Sequence, residues 1–171
     1  MSKRESEPLV SVVIPMYNEE NNIKSTLRSL YHQKYNNIQT IIVDDGSVDE
    51  SVNIVESYLS DISDNHQILK NTTNLGQSFS RNRGAMYAEG KYIIFHDADD
   101  LSTPDRIKKQ VSFLEESPSV GVVGGSYFYI NPKRDQRELK IRPEDDKSIR
   151  QGMARECMIN LGTAMFRREA L

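Results

Sequence analysis

Residues 9–20 read LVSVVIPMYNEE: an apolar, β-branched run as far as Ile14, a proline at 15, then polar residues. Branching at Cβ crowds a helical turn but packs well on a pleated surface, so the run predicts a buried strand ending at Pro15. Just beyond it, Ile23, Leu27 and Leu30 fall at i, i+4 and i+7, the apolar face of an amphipathic helix. Asn18 stands where it can cap that helix, and Glu19 and Glu20 suit its N-terminal dipole. A buried strand followed by an amphipathic helix is half of a βαβ unit, so the fold turns on whether the pattern repeats.

It repeats three times. A second strand spans Ile38 to Val43 and ends in DDGS; Ser47 and Glu50 then have the spacing of a capping box before a helix with Val52, Val55 and Leu59 on its inner face. A short third strand around Gln67 to Leu69 leads into NTTNLGQSFSRNRGAMYAEG, a glycine-containing loop and a helix that Gly90 is placed to end. The fourth strand is YIIF, Tyr92 to Phe95. Thr103 and Pro104 supply a cap and first position for a helix striped by Ile107, Val111 and Leu114. VGVVGGSYFYI is strand-like, Asn131 to Gln151 reads as a long charged loop, and NLGTAMFRREAL reads as one more strand.

Strands alternating with helices predict an α/β fold with a mostly parallel central sheet and helices on both faces, because each crossover must return over the sheet. All carboxyl ends of parallel strands then share one edge, where open sheets bind ligands. Four polar exits should meet there: PMYNEE, DDGS, NTTNLGQ and HDADD.

Composition sets outer bounds. A chain of 171 residues with 37% hydrophobic and 27% charged residues fits one globular domain, read as residues 9–171 behind a flexible tail of residues 1–8. The net charge of -3 excludes the electrostatic footprint of a nucleic-acid binder. The single cysteine, Cys157, excludes an internal disulfide and is read as a bland buried or half-buried thiol. With neither a leader's apolar region nor a membrane-length apolar run, the expected place is the cytoplasm, or the cytoplasmic face of a membrane in an intact protein.

FHDADD, residues 95–100, carries the strongest chemical signal: three carboxylates in four residues repel one another unless a cation or hydrogen-bond donors offset the charge. If the strand persists, Asp97 and Asp99 project to the same side, and paired acidic oxygens suit Mg²⁺ or Mn²⁺. Asp99 and Asp100 equally fit as residues capping the following helix. In DDGS a carboxylate can accept a nucleobase N–H or simply make the turn. Tyr17 can stack on a base or pack, and Arg81 and Arg83 can bind phosphates or line a solvated helix face. His96 points away from Asp97 on an extended strand and reads as a packed or hydrogen-bonded histidine rather than a metal ligand.

Taken together, VVIPMYNEE, IIVDDGSVDES, NLGQSFSRNRG and YIIFHDADD resemble, in order and spacing, the family 2 glycosyltransferases, which have the Rossmann-like GT-A fold. The resemblance runs from about Leu9 to the C-terminus. It implies a nucleotide-diphospho-sugar donor, most often UDP-linked, and an acceptor hydroxyl on a glycan, lipid-linked or other molecule. Residue by residue, Pro15, Tyr17 and Glu19 fall in the first donor-binding loop. Asp45 matches the base-recognising aspartate, with Asp44 beside it in the turn, and Gly76 and Arg81 lie in the third donor-side motif. Asp97 and Asp99 form the DXD motif, Asp97 near the ribose and Asp99 the direct metal ligand, extended by Asp100; His96 stands where an apolar residue is usual.

The implied reaction is an inverting, metal-assisted displacement at the anomeric carbon. The resemblance places the general base after a strand like LGTAMFRREAL, beyond Leu171, so the chain is expected to be the donor-binding part. Glu144, Asp145 and Asp146 precede that strand and are not assigned the role. A non-catalytic nucleotide-sugar-binding module would show the same donor motifs. A receiver-type signalling domain shares the doubly wound plan, but its acidic pair follows the first strand. The sugar, the acceptor and the oligomeric state leave no mark in the sequence.

Overall fold

The structure is a computed structural model that describes residues 7–60, 62, 65–131 and 136–171. Its main sheet is built from β1 (Val10–Met16), β2 (Ile38–Asp44), β3 (His66–Lys70), β4 (Tyr92–Phe95), β5 (Val122–Val123) and a late strand, Met165–Arg167. Between them lie α1 (Ile23–Tyr31), α2 (Ser51–Ser60), α3 (Gln77–Met86) and α4 (Arg106–Glu116). A separate hairpin pairs β6 (Tyr127–Asn131) with β7 (Gln136–Lys140), followed by a short helix α5 (Asp146–Gly152), a 3₁₀ turn at Leu161–Thr163 and then the late strand, β8.

The sheet order is β3-β2-β1-β4-β8-β5. β1 pairs in parallel with β2 and β4, and β2 with β3; β8 runs antiparallel to both its neighbours. This is the expected mostly parallel sheet. The order reverses between β1 and β4: the chain builds outward from β1 to β3, then crosses back to place β4 on the other side. That reversal opens a crevice at the carboxyl ends of β1 and β4, the usual ligand position in an open α/β sheet.

Alternation along β1 distributes its side chains to two cores. Val10, Val12, Ile14 and Met16 face α1, α2 and α4, whose Ile23, Leu27, Leu30, Val55, Leu59, Ile107, Val111 and Leu114 are buried as the helical stripes predict. Val13, with Ile41, Val43, Ile93 and Phe95, faces α3 and the segment carrying Leu161 and Phe166. Helices therefore cover both faces, with α3 and the Leu161–Thr163 turn on the second.

Several local expectations are corrected. β1 continues through Pro15 to Met16, because β4 pairs only with Val10 to Val13 and no ladder bond on that side is lost to the proline. Asn18 does not cap α1; its Oδ1 accepts the Val48 amide, 2.9 Å away in the next loop. Nor do Ser47 and Glu50 open α2, which begins at Ser51 with Asp49 accepting that residue's amide at 3.0 Å. α3 ends at Met86 with a right-handed Tyr87 cap, and Gly90 instead allows backbone contact: a Cβ there would lie 2.6 Å from the Ser11 nitrogen.

The strand-like 120–130 run splits between β5 and β6, and the charged stretch expected to be a loop contains β7 and α5. Cys157 is exposed rather than buried, its Sγ–H directed at the Ile159 carbonyl at 3.0 Å. Residues 1–6 of the expected tail lie outside the described residues, as do 132–135 of the charged stretch. The Glu7 and Pro8 carbonyls accept hydrogen bonds from the Asn37 side chain and the Tyr35 hydroxyl. Among the described residues no helix is long and apolar enough to cross a membrane.

Candidate active site

The loops that leave β1 and β2 are stitched together. Asn18 and Glu20 donate their amides to Ser47 Oγ (3.0 Å) and Asp49 Oδ2 (3.1 Å), and the Glu19 amide reaches Ser51 Oγ at 2.7 Å. Asn18 takes a left-handed conformation, φ 54°, to make the turn. Pro15 is buried at the strand end and Glu19 is half-buried, while Tyr17, the residue that follows β1, is 43% exposed. An exposed ring at that strand end is available for stacking.

In the β2 turn Asp44 and Asp45 are both buried, with 4% and 2% of their surface exposed. Asp44 Oδ1 accepts the Ser47 amide at 3.2 Å, the ordinary chemistry of an Asp-Gly-Ser turn. Asp45 reaches across to the β3 exit: it accepts from Asn71 Nδ2 (2.6 Å) and from the amides of Leu75 (3.0 Å) and Gly76 (2.8 Å). Burial pushes its carboxyl up, but the bonds from Leu75, Asn71, Gly76 and Ser80 outweigh this and hold it below the usual value. Asp45 is thus an anchor for the 71–76 loop, and a base N–H could reach it only by replacing one of these donors. Gly76 has φ 92°, a conformation open to glycine, and precedes the first turn of α3.

α3 carries Gln77 and Arg81 four residues apart, hence on one face. Both reach the β4 exit: Arg81 Nη2 lies 2.6 Å and Gln77 Nε2 3.0 Å from Asp97 Oδ1. Arg81 Nε is buried without a partner among the described residues. Arg83 turns the other way and holds the end of β3 through the Lys70 carbonyl (2.9 Å) and Asn71 Oδ1, so it does not join the site.

β4 stops at Phe95, so Asp97 and Asp99 do not share one side of a pleated strand as expected; residues 98–99 form a turn. Asp97 faces α3, and Asp99 is exposed. A Cβ on Gly162 would lie 3.1 Å from Asp100 Oδ2 and 3.7 Å from Asp97 Oδ2, so two carboxylate oxygens converge where the 3₁₀ turn comes down on the cluster. Burial, then the charges of Asp97 and Asp99, raise the Asp100 carboxyl, although the residue keeps an open face to solvent. Neither Asp99 nor Asp100 caps α4, whose N-cap is Asp105.

His96 is buried and hydrogen-bonded, as read from the sequence: Nδ1 lies 2.8 Å from the Asp97 carbonyl and Nε2 2.9 Å from Ser102 Oγ. Burial, then the nearby Arg106 charge, lower it to about 4, so the ring is neutral at physiological pH. Sequence reading missed Gln77, Asn71 and Gly162. The Gln77–Arg81 spacing was a usable signal for the first; for the turn at 160–163 there was none, because its place depends on β8 pairing.

As a donor set, the cluster offers carboxylate oxygens and no thiolate or imidazole, which fits Mg²⁺ or Mn²⁺. Among the described residues no three His, Cys, Asp or Glu side chains form a ready-made metal cage. These ions typically take only one or two protein carboxylates, with phosphate and water oxygens completing the shell. The residues present fit such an ion in company with an anionic ligand.

The family described as Glycosyl transferase family 2 matches residues 11–171. The putative glycosyltransferase EpsE of Bacillus subtilis is 39% identical over 119 residues, which cover 70% of this chain and 43% of EpsE. The S. aureus TarS 1-349 structure in complex with UDP-GlcNAc superposes with a TM-score of 0.70 at 25% identity, covering 94% of this chain and 45% of that one. The mannosyltransferase PcManGT of Pyrobaculum calidifontis, solved with GDP-Man and Mn²⁺, shares the fold with a TM-score of 0.70 at 22% identity, over 95% of this chain and 45% of its own. The chain spans about half or less of the length of these proteins.

Proposed function

We propose, from the premise that this chain belongs to glycosyl transferase family 2, that it forms the donor-binding part of an enzyme that transfers a sugar from a nucleotide-diphospho-sugar to an acceptor hydroxyl with inversion. The observation that carries this reading is the meeting of the β3 and β4 exits: the Asp97 carboxylate, held by Gln77 and Arg81, stands beside Asp99 and Asp100 at the reversal point of the sheet. A uridine diphosphate donor is favoured because TarS, at 25% identity over 94% of the chain, was solved with UDP-GlcNAc.

In this reading the nucleoside lies over the stitched loops of β1 and β2. Tyr17 supplies a stacking face, Pro15 and Glu19 shape the wall, and Asp44 and Asp45 border the base. Recognition by Asp45 requires one of its present donors to yield a bond. The ribose and diphosphate extend toward Arg81 and Asp97, and the Asp97 and Asp99 carboxylates hold Mg²⁺ or Mn²⁺. Bound there, such an ion supplies Lewis-acid stabilisation of the charge that builds on the departing diphosphate. Arg81 adds a fixed positive charge on the same side.

The general base is assigned to none of the described residues. Asp145 is used as the cap of α5, accepting the Ser148 amide at 2.8 Å, and Asp146 pairs with Arg150 at 2.7 Å. Both are exposed, and these bonds stay within α5 and its cap.

Calorimetric titration with UDP, with and without Mn²⁺ and with GDP as the control nucleotide, tests the reading. Mn²⁺-dependent binding that prefers UDP is expected. Absence of nucleotide binding under both conditions would refute it, and a preference for GDP would refute the uridine assignment.

A further inference from the structure

His96 need not be polar to fill its place. It sits in the wall between β4 and α4, wholly buried, where an aliphatic side chain would pack without desolvation. Instead three polar side chains converge there, one of them a buried guanidinium. Ser102 Oγ is shared by His96 Nε2 at 2.9 Å and Arg106 Nη1 at 2.9 Å, and His96 Nδ1 meets the Asp97 carbonyl at 2.8 Å.

The donors and acceptors fix the direction of this chain. A carbonyl only accepts, so Nδ1 carries the ring hydrogen. In a neutral ring with its hydrogen on Nδ1, Nε2 is bare and accepts the Ser102 hydroxyl, while the guanidinium of Arg106, which only donates, fills a lone pair of the same Ser102 oxygen. The relay therefore runs from Arg106 through Ser102 and His96 to the backbone oxygen of Asp97. Arg106 continues the other way: Nε donates to Gln110 Oε1 at 3.3 Å, and Gln110 Nε2 donates to the Thr163 carbonyl at 2.7 Å. Thr163 belongs to the turn whose Gly162 lies against the Asp97 and Asp100 carboxylates. One buried network thus grips the acidic loop from behind and the turn above it, and Arg106 Nη2, without a hydrogen-bond partner among the described residues, carries its charge close enough to Asp100 for the two to attract.

We propose that His96 is a positioning residue for the acidic loop: locked in one tautomer by Ser102 and Arg106, it fixes the peptide that follows Asp97 and so the direction in which the Asp97 and Asp99 carboxylates meet a divalent cation. This rests on the cation reading given above. The role goes beyond filling space, because the bond it makes is to the main chain of a ligand residue. Groups that orient ligands in this way typically change metal affinity by about 10–100-fold when removed.

The experiment has two arms. In the ligand-free protein, long-range ¹H–¹⁵N NMR of the His96 ring should show hydrogen on Nδ1 and a bare Nε2 at neutral pH; the opposite tautomer overturns the relay. In the second arm, UDP titrations with and without Mn²⁺ compare the wild type with His96→Leu, His96→Asn and Ser102→Ala. His96→Leu should lose about tenfold or more of the Mn²⁺-dependent component and keep the metal-free component. His96→Asn, whose amide N–H can stand in for Nδ1–H, should recover most of the loss. Leu and Asn variants impaired alike, or a wild-type Mn²⁺ response in His96→Leu, would overturn the proposal. Should His96→Leu fail to fold, Ser102→Ala decides, and an unchanged Mn²⁺ component there is the refuting result. A wild-type protein with no Mn²⁺-dependent component would instead bring down the cation reading, and this proposal with it.

Discussion

Arg81 and Asp97, sixteen residues apart in the chain, meet at 2.6 Å across the gap between α3 and the exit of β4. The contact joins α3 to the acidic cluster, and both side chains are largely withdrawn from solvent, so screening weakens it less than a surface pair. Arg81→Ala should leave Asp97 held only by Gln77 and reduce Mn²⁺-dependent UDP affinity by about tenfold, or about 1.4 kcal/mol. Arg81→Lys should recover part of this, since a lysine keeps the charge but not the planar fork. Calorimetry on the three proteins reads the order; equal affinity in all three would detach Arg81 from the site.

Asp99 is exposed in the turn after β4 and has no structural employment as a helix cap. Asp99→Asn should therefore leave thermal stability within about 0.5 kcal/mol of the wild type, as for ordinary surface changes. Its Mn²⁺-dependent UDP binding should fall by at least about tenfold, because an amide oxygen is a poorer ligand for a hard cation. Unchanged Mn²⁺ affinity would remove Asp99 from the metal's shell and leave Asp97 and Asp100, whose oxygens converge near Gly162, as the pair to test.

Asp45 ties the β2 turn to the β3 exit as a carboxylate, with its carboxyl held below the ordinary 3.8. A depressed value means that, in acid, the unfolded chain takes up the proton first; the stabilisation is complete above pH 3.8 and is lost as pH falls through the folded-state value. Asp45→Asn removes this linkage and turns an amide donor toward donors, so it should cost about 1–3 kcal/mol at neutral pH. Chemical denaturation at several pH values should show the wild type losing stability more steeply below pH 3.8 than the variant. Parallel slopes would show that Asp45 is not ionised by its partners.

Gly84 lets α3 lie close on the sheet. A Cβ at this position would stand 2.3 Å from Val13 Cγ1 and 3.1 Å from Val43 Cγ2, both in the second core. Gly84→Ala should gain helix propensity yet destabilise the fold by about 1–3 kcal/mol through overpacking. Because α3 carries Gln77 and Arg81, the variant should also loosen UDP binding in the presence of Mn²⁺. A thermal midpoint at or above the wild type's would show that the helix shifts outward without penalty.

What could be read from the sequence is what each element settles with its own neighbours. The β-branched runs that became β1, β2 and β4, and the stripes Ile23–Leu27–Leu30 and Ile107–Val111–Leu114, record burial at the period of their own geometry, and the structure buries them accordingly. The alternation of these elements determined a parallel sheet, and therefore that PMYNEE, DDGS, NTTNLGQ and HDADD would share one edge. The family resemblance rests on those same exits.

Only the tertiary structure decided the rest, because it depends on which distant segments meet. Asn18 and Ser47 look like helix caps in sequence, yet each finds its partner in the opposite loop. The stretch after residue 120 gives β5 to the main sheet and β6 to a hairpin, a division set by β8 arriving antiparallel between β4 and β5. Asp45 reads as an open acceptor and is an occupied one, and His96 reads as a packed histidine without any hint of the arginine behind it. Periodicity encodes which face of an element is buried; it does not encode the hydrogen-bond partner that waits there, and at this site those partners set the direction of the Asp45 and Asp97 carboxylates.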